Sequence, residues 1–246
     1  MKTYQAELHI HTVLSPCAGV EMIPPLIIHT ALERGLNLIA ITDHNASENV
    51  AAVIKAAQVN DLTVLPGMEL QTHEEVHVLC LFDTLEQLNK LQEVVDQTLP
   101  DVPNNIEYFG EQFIVDETGE FIRRKERLLI NSTNLSFEDA FAIVDELNGL
   151  FIPAHVDRQA FGLIYHLGFV PPELNIEALE ISHHITPKDA IIKFPQIKPY
   201  PLIQSGDVHY LNDFLGINQF TLEKPTVNEI KLALRGENGR KFHLLL

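Results

Sequence analysis

Near its N-terminus the chain reads Ala6-Glu7-Leu8-His9-Ile10-His11-Thr12. Apolar residues lead into two imidazoles that are two positions apart, an alternation typical of a half-buried β-strand. Because successive side chains of a strand point to opposite faces, His9 and His11 share one face. Two histidines placed in this way can bind one metal ion. The segment therefore predicts both the first strand of the fold and the start of a metal site.

Other residues that bind metals in proteins stand at the ends of further predicted strands. A lone buried histidine is more often a hydrogen-bonded core residue than a ligand, so the prediction depends on the joint pattern. Strand ends meet at one edge of a parallel sheet, which would bring these side chains together. The sequence predicts one multi-metal site formed by His9, His11, Cys17, His44, Glu69, His77, His155, Asp207 and His209.

Short apolar strands alternate with helical stretches along most of the chain. This order predicts an α/β fold of βαβ units with a parallel sheet, and seven such strands could close into a barrel. Helix starts are marked by capping patterns such as Thr84-x-x-Gln87, Ser136-x-x-Asp139 and Thr226-x-x-Glu229. The predicted strands are residues 4–10, 36–42, 62–65, 76–82, 150–155, 178–183 and 201–204.

Residues 100–135 interrupt the alternation. Two strand-like runs flank the turn sequence Asp116-Glu117-Thr118-Gly119, which predicts a β-hairpin inserted between barrel elements. We expect one domain over residues 1–246 that contains this insertion. The basic run from Arg123 to Arg127 has the composition of a solvated strand face, or of a clamp for the distal part of a nucleotide if the hairpin covers the barrel mouth.

Length and composition agree with one large domain, since the chain has 246 residues and a mass of 27.8 kDa. Two cysteines leave no disulfide framework and indicate a reducing compartment. The chain shows no leader-like start, and no apolar run approaches the roughly 20 residues that span a membrane. These features predict a cytoplasmic protein without a membrane partner. They do not indicate an oligomeric state.

The formal net charge of −17 argues against a general nucleic-acid binder, because duplex affinity comes largely from Lys and Arg. We therefore expect no long nucleic acid as a partner. Three divalent ions would nevertheless outweigh the charges of Glu69, Asp207 and a Cys17 thiolate. The local field would then attract an anionic substrate.

The chain carries motifs that resemble, in order, those of the PHP family, named for polymerase and histidinol phosphatase. The resemblance extends from residue 9 to residue 209. It implies a distorted (β/α)7 barrel, a trinuclear metal centre and hydrolysis of phosphate esters. The motifs are His9-Ile10-His11-Thr12, Thr42-Asp43-His44, Pro66-Gly67-Met68-Glu69, Val76-His77, Pro153-Ala154-His155 and Ser205-Gly206-Asp207-Val208-His209.

The resemblance implies three ligand sets, and Glu69 bridges the first two. The sets are His9, His11, Glu69 and Asp207; then Glu69, His77 and His155; then His44 and His209. Several relatives complete the third set with a histidine at the position of Cys17. A thiolate suits zinc or iron better than manganese, so Cys17 either biases this site toward softer metals or leaves it weakly filled. We expect two to three divalent ions of Zn, Mn or Fe.

Other residues have weaker predicted roles. Arg158, three positions after His155, could bind phosphate oxygens at the barrel mouth. An ion pair with Asp157 or a contact at a helix start is a nearly equal alternative. His183 and His184 follow a predicted strand, so one of them could contact substrate. Asp43 could orient an imidazole or cap a helix. Asp207 or His209 could protonate the leaving group through a bound water. Together with Arg158, these two are the predicted catalytic residues.

The resemblance and the metal site predict a phosphoesterase that hydrolyses a small phosphorylated metabolite or a nucleotide phosphomonoester, with water activated between the metal ions. Three alternatives remain open. Activated water could attack a carbonyl or amidine carbon, as in amidohydrolases. The enzyme could be an exonuclease on single-stranded nucleic acid. The domain could also be a non-catalytic ligand-binding module that retains its metals.

Overall fold

The structure is a computed structural model that describes residues 1–245, so Leu246, the last residue of the predicted domain, lies outside the described range. The described part contains eleven strands and eight α-helices. The strands are β1 Lys2–Ile10, β2 Leu38–Ile41, β3 Thr63–Gln71, β4 His77–Leu81, β5 Phe113–Val115, β6 Phe121–Arg124, β7 Leu150–Pro153, β8 Leu179–Ile181, β9 Leu202–Gln204, β10 Asn218–Leu222 and β11 Lys241–Leu244. The helices are α1 Pro24–Glu33, α2 Val50–Ala57, α3 Leu85–Thr98, α4 Ile106–Phe109, α5 Phe137–Glu146, α6 Leu163–Leu167, α7 Pro187–Lys193 and α8 Val227–Arg235.

Five strands of one curled sheet, β1 to β4 and β7, and the separate parallel pair β8 and β9 form the wall of a distorted barrel. Each of these seven strands coincides with a predicted strand. The backbone N–H of Val156 donates to the carbonyl of Glu180 over 2.9 Å, which links the end of β7 to β8. After β9, the N–H of Val208 donates to the carbonyl of His9 over 2.9 Å and returns the chain to β1. The predicted α/β class and distorted barrel are confirmed.

The prediction of a parallel sheet was wrong for β4, which runs antiparallel to both β3 and β7. Residues 72–76 connect β3 to β4 in a tight turn, and a parallel crossover needs about a dozen residues or more. The register pairs His77 with Gln71, two residues beyond Glu69. Because residues two apart share a face, Glu69 and His77 point to the same side of the sheet.

Two strands were missed from the sequence. β10 pairs antiparallel with the first half of β1, and β11 pairs with β10, so both extend the curled sheet beyond the barrel wall. In β10, polar residues alternate with buried Asn218, Phe220 and Leu222, and this short half-exposed strand lies outside the βαβ order that the sequence indicated.

The strands bury residues on both faces. Within β2, Leu38 and Ala40 belong to one buried cluster, while Ile39 and Ile41 belong to a second cluster that includes helix residues. Cys80 on β4 is fully buried in the second cluster, as a core residue would be, and burial raises the pKa of its thiol. Side chains alternate between the clusters with the period of two expected for strands covered on both faces.

Three helices, α3, α5 and α8, begin at the capping residues that the sequence indicated. Thr84 and Gln87 form a complete capping box before α3, and the Ser136 and Thr226 side chains accept from the N–H groups of Asp139 and Glu229. These contacts satisfy N–H groups that a helix start leaves without partners. No helix within residues 1–245 is both long and apolar enough to cross a membrane.

Buried Glu7 on β1 holds the loop that carries Asp207. Its Oε1 accepts from the N–H of Gly206 over 3.0 Å, and its Oε2 accepts from Leu215 and Gly216 over 2.8 and 2.9 Å. Burial raises the pKa of Glu7 to about 7, although the three donors favour the charged form. The carboxylate therefore attaches this loop to the first strand of the barrel.

Residues 100–135 contain α4 and the short antiparallel pair β5 and β6. That they are an insertion between barrel elements stays a prediction. Three of the four basic side chains in residues 123–127 have partners within the protein: Arg124 pairs with Glu111, Lys125 pairs with Glu48, and Arg127 donates to backbone carbonyls of Asp96 and Pro100. Most basic side chains of residues 123–127 are therefore bonded to groups within the protein.

Candidate metal centre

All nine predicted ligand residues meet at one mouth of the barrel, where the strand topology places them. The side chains of His9, Glu69 and His77 come from strands, and the others come from the loops that follow β1, β2, β7 and β9. Most of them are buried; Cys17 is exposed, and Asp207 and His209 are partly exposed. The antiparallel β4 contributes His77 from its first residue, because reversing the strand brings its start to this mouth.

Glu69 lies at the centre of the cluster and is fully buried. Burial alone would raise its pKa, but the surrounding histidines, His9 and His44 among them, hold the pKa of Glu69 well below its usual range. The carboxylate is therefore ionised. Its Oε1 lies 2.9 Å from His77 Nδ1, 3.2 Å from His155 Nε2 and 3.3 Å from His9 Nε2, and its Oε2 lies 2.9 Å from His44 Nδ1 and 3.4 Å from His11 Nε2.

Asp207 provides a second carboxylate beside the first two histidines. Its Oδ1 lies 3.3 Å from His9 Nε2 and 3.4 Å from His11 Nε2, while its Oδ2 accepts from Arg158 Nη1 over 2.6 Å. Burial opposes ionisation, but His9 and His11 hold the pKa of Asp207 well below its usual range. Asp207 and His155 both have positive φ angles, +50° and +31°, so two site residues occupy a strained backbone region.

Two of the histidines are oriented by partners behind the site. His9 Nδ1 lies 3.0 Å from the buried carboxylate of Glu180, which only accepts, so Nδ1 carries the proton. The Ser15 hydroxyl donates to Asp43 over 2.7 Å and therefore accepts from His11 Nδ1 at 3.1 Å. Asp43 thus orients an imidazole indirectly, through Ser15. With Nδ1 as the donor, the neutral form of each ring presents an unprotonated Nε2 to the cluster.

His77 and His209 are oriented in the same manner. The Gln71 amide donates to Ser132 over 2.9 Å, which leaves its carbonyl oxygen to accept from His77 Nε2 at 3.3 Å. His209 Nδ1 donates to the backbone carbonyl of Asp207 over 2.8 Å. Burial lowers the pKa of His77 to about 4, which favours the neutral ring that binds metals.

The donor set fits divalent ions. His9 Nε2, His11 Nε2 and Glu69 Oε2 are buried and make no hydrogen bond to any described residue. Nitrogen lone pairs therefore face carboxylate oxygens, a repulsive arrangement that a cation between them relieves. The carboxylates also raise the pKa of His9 despite its burial, so protons compete with metals for the same site.

The third group of ligand atoms includes sulfur. Donor atoms of His11, His44 and His209 lie within 4.8 Å of one another, and Cys17 Sγ lies 3.1 Å from His209 Nε2. Cys17 as a residue is exposed, but its thiol lies against the histidines, and this loss of water contact opposes ionisation. The charge of His44 and a hydrogen bond from His209 outweigh that effect and lower the pKa of the thiol to about 6. A thiolate at neutral pH is a good ligand for zinc or iron.

A cavity of about 390 Å³ opens above the cluster. Glu69, His155 and Asp207 are among its lining residues, and Arg158 lies at the same opening with 43% of its side chain exposed. Apolar walls come from Phe109, Ile130 and Phe161. The volume is in the range of small-ligand sites.

Some predicted residues lie elsewhere. His183 and His184 are exposed in the turn after β8 and are absent from the cavity lining, so the prediction that one contacts substrate there has no geometric support. The predicted ion pair between Arg158 and Asp157 does not form, because Asp157 accepts from the backbone and hydroxyl of Ser182 over 2.6 Å each.

Sequence reasoning missed the residues that orient the histidines. Glu180 is 1% exposed and lies between Leu179 and Ile181 in β8. A carboxylate in the middle of an apolar strand was a signal that could have identified it, because buried charges are rare without partners. Ser15 and Gln71 gave no comparable signal.

Comparison with known proteins identifies one family. The family model described as PHP domain matches residues 7–157. No curated protein matches the chain.

Several solved structures share the fold. The lesion-specific endonuclease Q of Pyrococcus furiosus aligns with a TM-score of 0.75 and 24% identity over 98% of this chain and 58% of that one. Endonuclease Q in complex with a 27-mer duplex that has an abasic lesion at the active site aligns with a TM-score of 0.68 and 22% identity, at the same coverage of both chains. A protein of Bifidobacterium adolescentis assigned as a metal-dependent phosphoesterase aligns with a TM-score of 0.55 and 17% identity, over 83% of this chain and 87% of that one. The chain thus spans 58% of the endonuclease chains.

Replacing Glu180 tests the orientation of His9. We expect Glu180→Ala to weaken metal binding by about 10- to 100-fold, because His9 loses the acceptor that fixes its tautomer. Glu180→Gln keeps an acceptor oxygen and should lose less. Chelator competition with zinc measures the affinity, and the control is Glu173→Ala, at an exposed acidic residue earlier in the chain. Unchanged affinity in Glu180→Ala would show that the contact does not support the site.

Replacing Cys17 tests the third group of ligands. Cys17→Ala should lose one ion per chain selectively, and Cys17→His should improve retention of manganese relative to zinc. Metal content after dialysis against each ion is the measurement, with Cys80→Ala as a control for loss of a thiol outside the site. If both Cys17 variants match the parent protein, Cys17 is not a ligand.

Proposed function

The chain belongs to the PHP domain family of metal-dependent hydrolases, and from this we propose that it hydrolyses the phosphate ester of a small phosphorylated metabolite or nucleotide. One observation carries the proposal. Imidazole nitrogens with fixed tautomers and two ionised carboxylates converge beneath a cavity of small-ligand size, with a guanidinium at its opening.

The residues that would hold the ions are the nine that the sequence indicated. Glu69 is suited to bridge two ions, because each of its oxygens faces different imidazoles. When bound, such ions supply an activated water and neutralise charge on the phosphoryl and leaving oxygens. His9 and His11 contribute neutral nitrogens that Glu180 and Ser15 hold in place. We propose zinc, iron or manganese, with two to three ions per chain.

We propose catalytic roles for Arg158, Asp207 and His209. Arg158 uses Nη1 for Asp207, and the rest of its planar guanidinium can contact non-bridging phosphate oxygens. Asp207 and His209 lie at the partly exposed side of the cluster, where a water can relay a proton to the leaving oxygen. Because Arg158 also contacts Asp207, removing its side chain would disturb both substrate binding and the position of this metal-binding carboxylate.

A small monoester suits the charge distribution better than a polymer does. The chain carries a formal charge of −17, and most basic side chains in residues 123–127 pair within the protein. A polymer with repeated phosphates would meet an acidic surface outside the cavity. A compact terminal phosphate would meet positive charge only at its reacting end.

A second candidate is cleavage of DNA at a lesion. The fold matches endonuclease Q over 98% of this chain, and one of those structures holds an abasic duplex at its active site. This finding conflicts with the expectation that long nucleic acids are excluded. The present chain spans 58% of that protein, so any parts of the endonuclease outside the shared fold could contribute to its DNA binding.

A substrate comparison distinguishes the two candidates. With one metal and one enzyme concentration, we expect phosphate release from ribose 5-phosphate and from nucleoside 3′- and 5′-monophosphates, with much slower release of nucleotides from a labelled single strand. Glu69→Gln provides the background rate. Nicking of an abasic duplex or rapid digestion of the strand, with the monoesters inert, would favour the nuclease.

A further inference from the structure

The segment of residues 100–135 supplies part of the cavity wall. Phe109 at the end of α4 and Ile130 after β6 both line the cavity above the candidate metal centre. Each side chain is partly exposed. The segment therefore does more than cover the barrel surface, because it gives apolar character to one side of an otherwise charged site.

Phe109 is held in place by the loop that carries Cys17. Gly110 ends α4 with φ +98°, and a Cβ at this position would lie 2.5 Å from the carbonyl oxygen of Pro16. Only glycine allows this close approach. The amide of Asn104 donates to the carbonyl of Gly110 over 2.8 Å, and the Tyr108 ring packs edge-on against Phe109 at 4.6 Å. These contacts fix the position of Phe109 next to the loop that carries Cys17.

Ile130 is fixed by residues next to the metal ligands. The side chain of Asn45, which follows His44, donates to the carbonyls of Leu129 and Asn131 over 2.7 and 2.9 Å. Asn45 adopts φ +47°, a conformation that asparagine tolerates better than most residues. Hydrogen bonds on both sides of Ile130 make this wall a fixed part of the site.

Phe161 provides another apolar wall. Its ring stacks on His77 at 4.3 Å with an interplanar angle of 6°. The residue has φ +62°, which is strained for a bulky side chain, and its backbone is held by the N–H of His77 and by the ring of His166. Strain of this kind is retained where the surroundings over-determine a conformation, often at a functional site.

The cavity offers few polar partners apart from the candidate ligands. Gln71 and Arg158 are the other polar lining residues, and the Gln71 amide is already bonded to Ser132 and His77. A leaving group rich in hydroxyls would lose water without gaining hydrogen bonds there. A flat apolar ring would gain contact with Phe109, Ile130 and Phe161.

We propose that Phe109, Ile130 and Phe161 form a binding slot for a flat ring joined to the phosphate, as in a mononucleotide, and that the segment of residues 100–135 sets this preference. The inference rests on the proposed phosphoesterase function. It commits to a nucleobase-sized ring in the leaving group. Stacking on aromatic side chains tolerates different bases, so the slot selects rings without reading one base.

Ligand-observed NMR of adenosine and ribose with the metal-loaded protein tests the slot independently of turnover. Adenosine should bind and ribose should not. Phe109→Ala should weaken adenosine binding about tenfold, as expected for loss of a stacking partner, and Phe109→Leu should lose less. Phe121→Ala removes an exposed aromatic ring of the same segment outside this cavity and should leave binding unchanged. Thermal melting checks that each variant is folded.

The slot is wrong if adenosine does not bind or if Phe109→Ala and Phe121→Ala bind it equally. Phosphate release provides the separate test of the enzyme. The slot predicts a KM about tenfold lower for adenosine monophosphates than for ribose 5-phosphate, and this difference should vanish in Phe109→Ala. If adenosine binds but no phosphate is released from any monoester, the proposed phosphoesterase function is contradicted and the proposed binding slot is retained.

Discussion

Five imidazole nitrogens surround the buried carboxylate of Glu69 at 2.9 to 3.4 Å, and the other ring nitrogen of several of these histidines already donates elsewhere. Acceptors therefore face acceptors in a space from which water is largely excluded. In a low dielectric this arrangement is unfavourable unless positive charge occupies it. Protons can supply that charge in part, but the fixed tautomers direct nitrogen lone pairs inward and make metal ions the better match.

Much of the surrounding structure maintains this arrangement. The tight turn before β4 reverses the strand and brings His77 opposite Gln71, on the face shared with Glu69. Glu7 attaches the loop of Asp207 to β1 through three backbone N–H groups. Glu180 links the barrel wall to His9 and also accepts from the N–H of His155 over 3.2 Å. Each contact limits where a ligand atom can lie, as a preorganised metal site requires.

The sequence predicted the seven wall strands and the nine clustered residues because both depend on local periodicity and on residue types with strong chemical preferences. It could not predict the direction of β4, since strand periodicity is the same in parallel and antiparallel pairs. It missed the orienting roles of Ser15 and Gln71, because common polar residues gain meaning only from tertiary neighbours. The apolar walls were missed for the same reason. Phe109, Ile130 and Phe161 are far apart in sequence and meet only where Gly110 approaches Pro16 and Phe161 stacks on His77.

Metal content tests the central claim most directly, because the account requires cations around Glu69 before any catalysis. Protein purified without chelators should contain two to three divalent ions per chain by elemental analysis. Glu69→Gln keeps the shape of the side chain but removes the bridging charge, so it should lose more than one of them while remaining folded. A folded parent protein that binds no divalent ion, or a Glu69→Gln variant with the full complement, would contradict the account.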